Sequence, residues 1–227
     1  SGEHLPKHSD LNVLAVLERL GAAELDALHP VATWWAGKGN PPPLLLTRGE
    51  LRRSADVFAI ELVDICAHRR ILQGEDIFAG FTVPMQLHRE QVERELRGKL
   101  LALRQTYLLA SRRGDARLKL MTASVSTFAT LFRHVLLALE SSGGNAGAKA
   151  APRTKREAIS SLAALFGFDA RPFGDILDVR EGKRAAKDLD TSTFSQYLAA
   201  IERAMDEVDK RFASGAPPDG NQPARGV

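Results

Sequence analysis

What this sequence has little of narrows it first. There is one cysteine, Cys66, among 227 residues. A single thiol excludes an internal disulfide framework, and no Cys/His spacing matches a zinc site. That usage suits a reducing compartment, so a cytoplasmic protein is expected. No apolar run approaches the ~18 residues of a membrane span and no signal peptide opens the chain, so no membrane partner is expected. No initiating Met precedes Ser1, so the natural N-terminus is expected further upstream. Neither sign of charge dominates: 31 Lys and Arg stand against 28 Asp and Glu. A phosphate-bearing partner is permitted by that balance but not demanded, because the two signs are interleaved. No internal repeat is present.

What remains is ordinary globular composition, long enough for one large domain or two small ones. The first third alternates strand and helix signals. "LNVLAVL" (11–17) is short and apolar, as a doubly covered strand should be. A helix follows with Leu25, Leu28, Val31 and Trp35 at helical spacing, and Pro30 is expected to break or kink it. "GKGNPPP" is a loop and "LLLT" (44–47) a second strand. Thr47 and Glu50 have the spacing of a capping box for a brief helix. "DVFAIELVDICA" (56–67) reads as a third strand. With three strands the unit looks small, and the edge of its first strand is left open.

The remainder reads as helical. Residues 88–111 put Val92, Leu96, Leu100, Leu103 and Tyr107 on one face. Residues 117–140 are apolar all round and suit the centre of a bundle. Residues 140–152 read as a linker. Thr154 caps the next helix and Gly167 stops it. A short helix and then a long one follow, the latter capped by Asp190 or Thr191. The domains expected are 1–86, 87–213 and a disordered tail, 214–227.

The residues able to carry chemistry sit near the first strand. Asp10 and Asn12 are two apart, so they share a face of an extended chain. If strands 10–17 and 57–66 lie side by side, Asp10, Asn12 and Glu61 converge at one end of the sheet. Clustered oxygen donors of this kind suit a hard divalent cation. Asp64 is the alternative acid. Arg97 and Arg104, seven apart beside the apolar stripe, are candidates to reach a phosphate. The plainer reading for Arg97 is an i, i+4 pair with Glu93. Trp34 and Trp35 are expected in the core, His134 as a structural histidine, and His4, His8 and His88 in loops.

"SGEHLPKHSDLNVLAVL" resembles the signature of the polymerase-β-like nucleotidyltransferase superfamily. Gly2, Ser9, Asp10 and the apolar Val13–Leu17 match it, and "IELVDI" looks like the family's third-acid strand, with Glu61 in the acid's place. The resemblance covers about residues 1–80. It implies an α/β plus α fold, with a small nucleotidyltransferase-like mixed sheet followed by an α-helical bundle. It implies Mg²⁺-dependent transfer of a nucleoside monophosphate from an NTP to a hydroxyl acceptor. Asp10, Asn12 and Glu61 would hold metal, with Asp10 and Glu61 catalytic. Ser9, Arg97 and Arg104 would contact the nucleotide. Two departures matter. Asn12 replaces the second acid of the Asp-x-Asp pair, and an amide ligates Mg²⁺ without bringing charge. The family's Gly-Ser helix start is also expected upstream of Ser1. Two rivals follow. One is a degenerate member that binds a nucleotide or a protein without catalysis. The other is a helical interaction protein that docks a partner chain, as antitoxin-like pairs do, or forms a homodimer.

Overall fold

The computed structural model describes residues 11–110, 113–142 and 154–213. The chain divides into two compact units, residues 1–91 and 92–227. The first is a small α/β unit and the second is helical, so the chain is mostly helical with a small sheet.

The first unit begins with β1 (Leu14–Leu17), α1 (Ala22–Gly37) and β2 (Leu44–Thr47). The strands pair in parallel, Leu14 opposite Leu44 and Leu17 opposite Thr47. Parallel neighbours need a crossover, and α1 supplies it. Leu14 and Val16 point to one face by the two-residue period of a strand. With Leu46 they pack on buried Leu51, Leu62 and Phe78. After β2 comes α2 (Arg48–Arg53), whose N-cap Thr47 and Glu50 form the expected capping box. Among the described residues the sheet has two parallel strands, not the mixed sheet expected.

Three expectations are corrected in this unit. The expected third strand is a helix, α3 (Ala59–His68). Ala59 and Leu62 are buried three apart and Ile65 and Cys66 follow at the next turn, so the burial period is helical. A short apolar run of this length suits either element by pattern alone. Pro30 does not break α1, which runs from Ala22 to Gly37. None of its residues is buried, so water can reach the carbonyl that proline leaves without a donor. Trp34 is exposed, not core, and the half-buried Trp35 donates its Nε1–H to the Pro41 carbonyl at 2.8 Å.

Between α3 and α4 (Met85–Ala110) the chain is braced by Arg69. Its Nε and Nη2 donate to the Asp76 carboxylate at 2.9 and 2.6 Å, and Asp76 also accepts from Phe78 N at 3.0 Å. His88 lies on α4 and is fully buried, not in a loop.

The second unit contains the rest of α4 with α5 (Gly114–Ser142), α6 (Lys155–Phe166), α7 (Arg171–Arg180) and α8 (Thr191–Ala213). Thr154 and Glu157 form a capping box at the start of α6, and Gly167 ends it at φ 72°. That left-handed conformation favours glycine. Asp190 caps α8 by accepting from Thr193 N at 2.8 Å. The core is aromatic. Phe128, Phe132, Phe173 and Tyr197 pack together, and Tyr107 stacks on Phe194 with centroids 3.8 Å apart. By length and composition α5 could cross a membrane, but half of that stretch is buried inside the protein. This is how the central helix of a bundle behaves. The expected linker lies almost wholly outside the described residues, as does the expected tail.

Candidate functional site

The mouth of β1 is held by its neighbour in the sheet. Leu11 N donates to Asn40 Oδ1 at 3.1 Å, and Leu44 N donates to the Val13 carbonyl at 2.8 Å. These bonds tie the approach to β1 to the loop before β2. Asn12, between them, is exposed at the N-terminal end of the parallel pair. Ser9 and Asp10 lie outside the described residues.

Glu61 is reached by a different route from the one expected. It stands in the first turn of α3, exposed, while the next residue, Leu62, turns into the core. Its carboxylate is taken up by Gln91, whose Nε2 donates to Glu61 Oε2 at 3.2 Å. Gln91 itself is buried, and its Oε1 accepts from Ile60 N at 2.8 Å. One amide therefore does two things. It satisfies an N–H at the start of α3, where no local side chain caps the helix, and it presents its NH₂ to Glu61. Glu61 thus belongs to a helix terminus rather than to a sheet edge. Asp64 is on the same helix, half-buried.

Arg97 and Arg104 are engaged within the helical unit. Arg97 pairs with Asp209 at 2.7 Å and with Glu93 at 3.3 Å, and Arg104 pairs with Glu202 at 2.7 Å. The neighbouring carboxylates, Asp209 first, raise the Arg97 guanidinium above its ordinary value. Arg48 is paired with Glu75, while Arg52 and Arg53 are exposed at the end of α2. Among the described residues no three His, Cys, Asp or Glu side chains come together as metal ligands do. His134 is buried, with the Arg133 guanidinium 3.1 Å from its Nε2.

A shallow hollow in the helical unit is lined by Gly114, Asp115, Lys187 and Asp190. Its acids are already used: Asp115 pairs with Arg113 at 3.2 Å and Asp190 caps α8.

No family model, no curated protein and no solved structure matches this chain.

Gln91 and the Arg69–Asp76 pair are not marked by any sequence pattern. Gln91 sits in the highly charged "HREQVERE", where nothing marks one amide as buried. The Arg69–Asp76 pair is seven residues apart in a segment without regular structure, so no periodicity points to it.

Proposed function

We propose that this protein is a nucleotidyltransferase-like protein. It would transfer a nucleoside monophosphate from an NTP to a hydroxyl acceptor in a Mg²⁺-dependent reaction. What supports the reading is the likeness of the Ser-Asp-x-Asn run to the Ser-Asp-x-Asp signature, with which the exposure of Asn12 at the mouth of a parallel strand pair is compatible. Mg²⁺ is commonly bound by one or two carboxylates together with substrate phosphates and water. Asp10 and Asn12 suit that role as a carboxylate and an amide. Bound there, the ion would neutralise charge on the triphosphate.

In the reaction the acceptor oxygen bonds to the α-phosphorus and the bond to the bridging α–β oxygen breaks. Pyrophosphate leaves, and the hydroxyl proton passes to a carboxylate. Glu61 is the described carboxylate proposed for that proton, with Gln91 donating to one of its oxygens. For Arg97 and Arg104 to contact the nucleotide, a phosphate would have to displace Asp209 and Glu202 from them.

A second reading is favoured by one observation. Glu61 lies on a helix and is bound by Gln91, while Asn12 contributes no charge. On this reading the chain binds a nucleotide or a protein partner without catalysis.

Calorimetry of the full chain with each NTP, with and without Mg²⁺, separates the two. Transfer predicts Mg²⁺-dependent binding that Asp10→Ala abolishes and Asn12→Asp tightens about tenfold or more by adding a charged ligand. Binding indifferent to Mg²⁺ and to Asp10 would leave only the non-catalytic reading.

A further inference from the structure

Helix α4 carries two apolar faces, and only one packs inside its own unit. Val92, Leu96, Leu100 and Leu103 are buried on the core side. At 100° per residue, Gly98, Leu101, Gln105 and Leu108 fall on the opposite side, with Ala102 and Leu109 beside them. Leu101, Leu108 and Leu109 are 50%, 78% and 88% exposed. Single exposed leucines are ordinary, but three within nine residues of one helix face form a contiguous apolar strip.

Charge decides what fits the strip. Along its two sides the ions are already satisfied within the chain, and exposed Arg94 stands one turn beyond its N-terminal end. Arg97 and Arg104 are held by Asp209 and Glu202 on one side, and Lys99 pairs with Glu95 at 3.8 Å on the other. The strip itself bears no charge and a single amide, Gln105. A strongly charged partner would find no counter-charge there. The complement is a neutral leucine face with a polar group able to meet an amide.

We propose that this strip pairs antiparallel with the same strip of a second copy of the chain, across a two-fold axis at Gln105. That axis sets Leu101 against Leu109 and Ala102 against Leu108, so leucine meets leucine at one step and alanine at the next. An amide both donates and accepts, so Gln105 can bond its own twin, whereas a lysine or glutamate at an axis repels itself. A polar residue in an apolar seam also sets register and orientation. Three leucines a side fall short of the ~1,600 Å² of a standard interface. The association is therefore weak and dependent on concentration.

The test is analytical ultracentrifugation of the full chain from low micromolar to near-millimolar concentration. A reversible monomer–dimer equilibrium is expected. Leu108→Glu should weaken it at least ~30-fold while leaving the helical circular dichroism unchanged. In a Cys66→Ser background, Gln105→Cys should oxidise to a disulfide-linked dimer, because the two thiols meet at the axis. Lys99→Cys, six residues along and off the strip, should not. A strict monomer throughout the range overturns the proposal. So does a dimer that Leu108→Glu leaves intact, or one in which Gln105→Cys fails to cross-link. The outcome does not depend on nucleotide binding.

Discussion

The phenol of Tyr197 is buried in the aromatic core and meets Ser124 Oγ at 3.0 Å. Burial pushes its pKa far above the ordinary tyrosine range. The two ends of this bond are not equivalent. Ser124→Ala leaves a buried hydroxyl without its partner and should cost about 1–3 kcal/mol, whereas Tyr197→Phe removes the buried group and should cost about 1 kcal/mol. Urea melts of the two variants check the order. The unfolded chain releases this proton near pH 10 and the folded chain holds it. The folded state then binds more protons, so this contribution to stability falls as pH rises through about 10. Asp76 behaves in the opposite sense. The Arg69 guanidinium, helped by the Phe78 amide, holds its carboxyl below the usual range. Its stabilisation is present above the unfolded pKa and disappears as pH falls through the lower folded one. Asp76→Asn should lower the melting temperature at neutral pH, and the gap from the native chain should shrink below about pH 4. Thermal melts across that range would show it.

Helix α3 owes its start to a residue thirty-one positions away. Without Gln91 the buried Ile60 N–H loses its acceptor and Glu61 its donor. Gln91→Leu should cost about 1–3 kcal/mol. Hydrogen exchange should accelerate first in the opening turn of α3, and unchanged protection there would remove the capping role. The pairs joining α4 to α8 are a milder case. Arg97 and Arg104 are half-exposed, and such ion pairs contribute roughly 0.2–1 kcal/mol. Alanine at both positions should lower stability slightly, more at low salt than at high. It should leave the nucleotide affinity measured by calorimetry within about twofold of the native value, and a large loss would return these arginines to the site.

Over the whole molecule, burial is uneven. No residue of β1, α1 or β2 is fully buried, while α6, α7 and α8 each bury a continuous row. Segments with few buried apolar contacts open at lower free energy. Amides of α1 should therefore exchange well before those of α8, and equal protection would contradict this reading of the core.

Much of the architecture was legible because it is written in local chemistry. The Thr47–Glu50 and Thr154–Glu157 boxes, the Gly167 stop and the Asp190 cap each act over three or four residues, and each stands where the sequence places it. The leucine period of α4 likewise specified a helix and its core face. Tertiary structure alone decided the state of 59–68, where an apolar run suits strand or helix and the choice rests on Leu62 and Ile65 packing beneath β1. It alone turned Glu61 toward Gln91 and bound Arg97 and Arg104 to α8, because those partners lie from 30 to 112 residues away along the chain. Local patterns encode which groups a segment can cap or bury. Which charge or amide meets them is settled only when distant segments pack together.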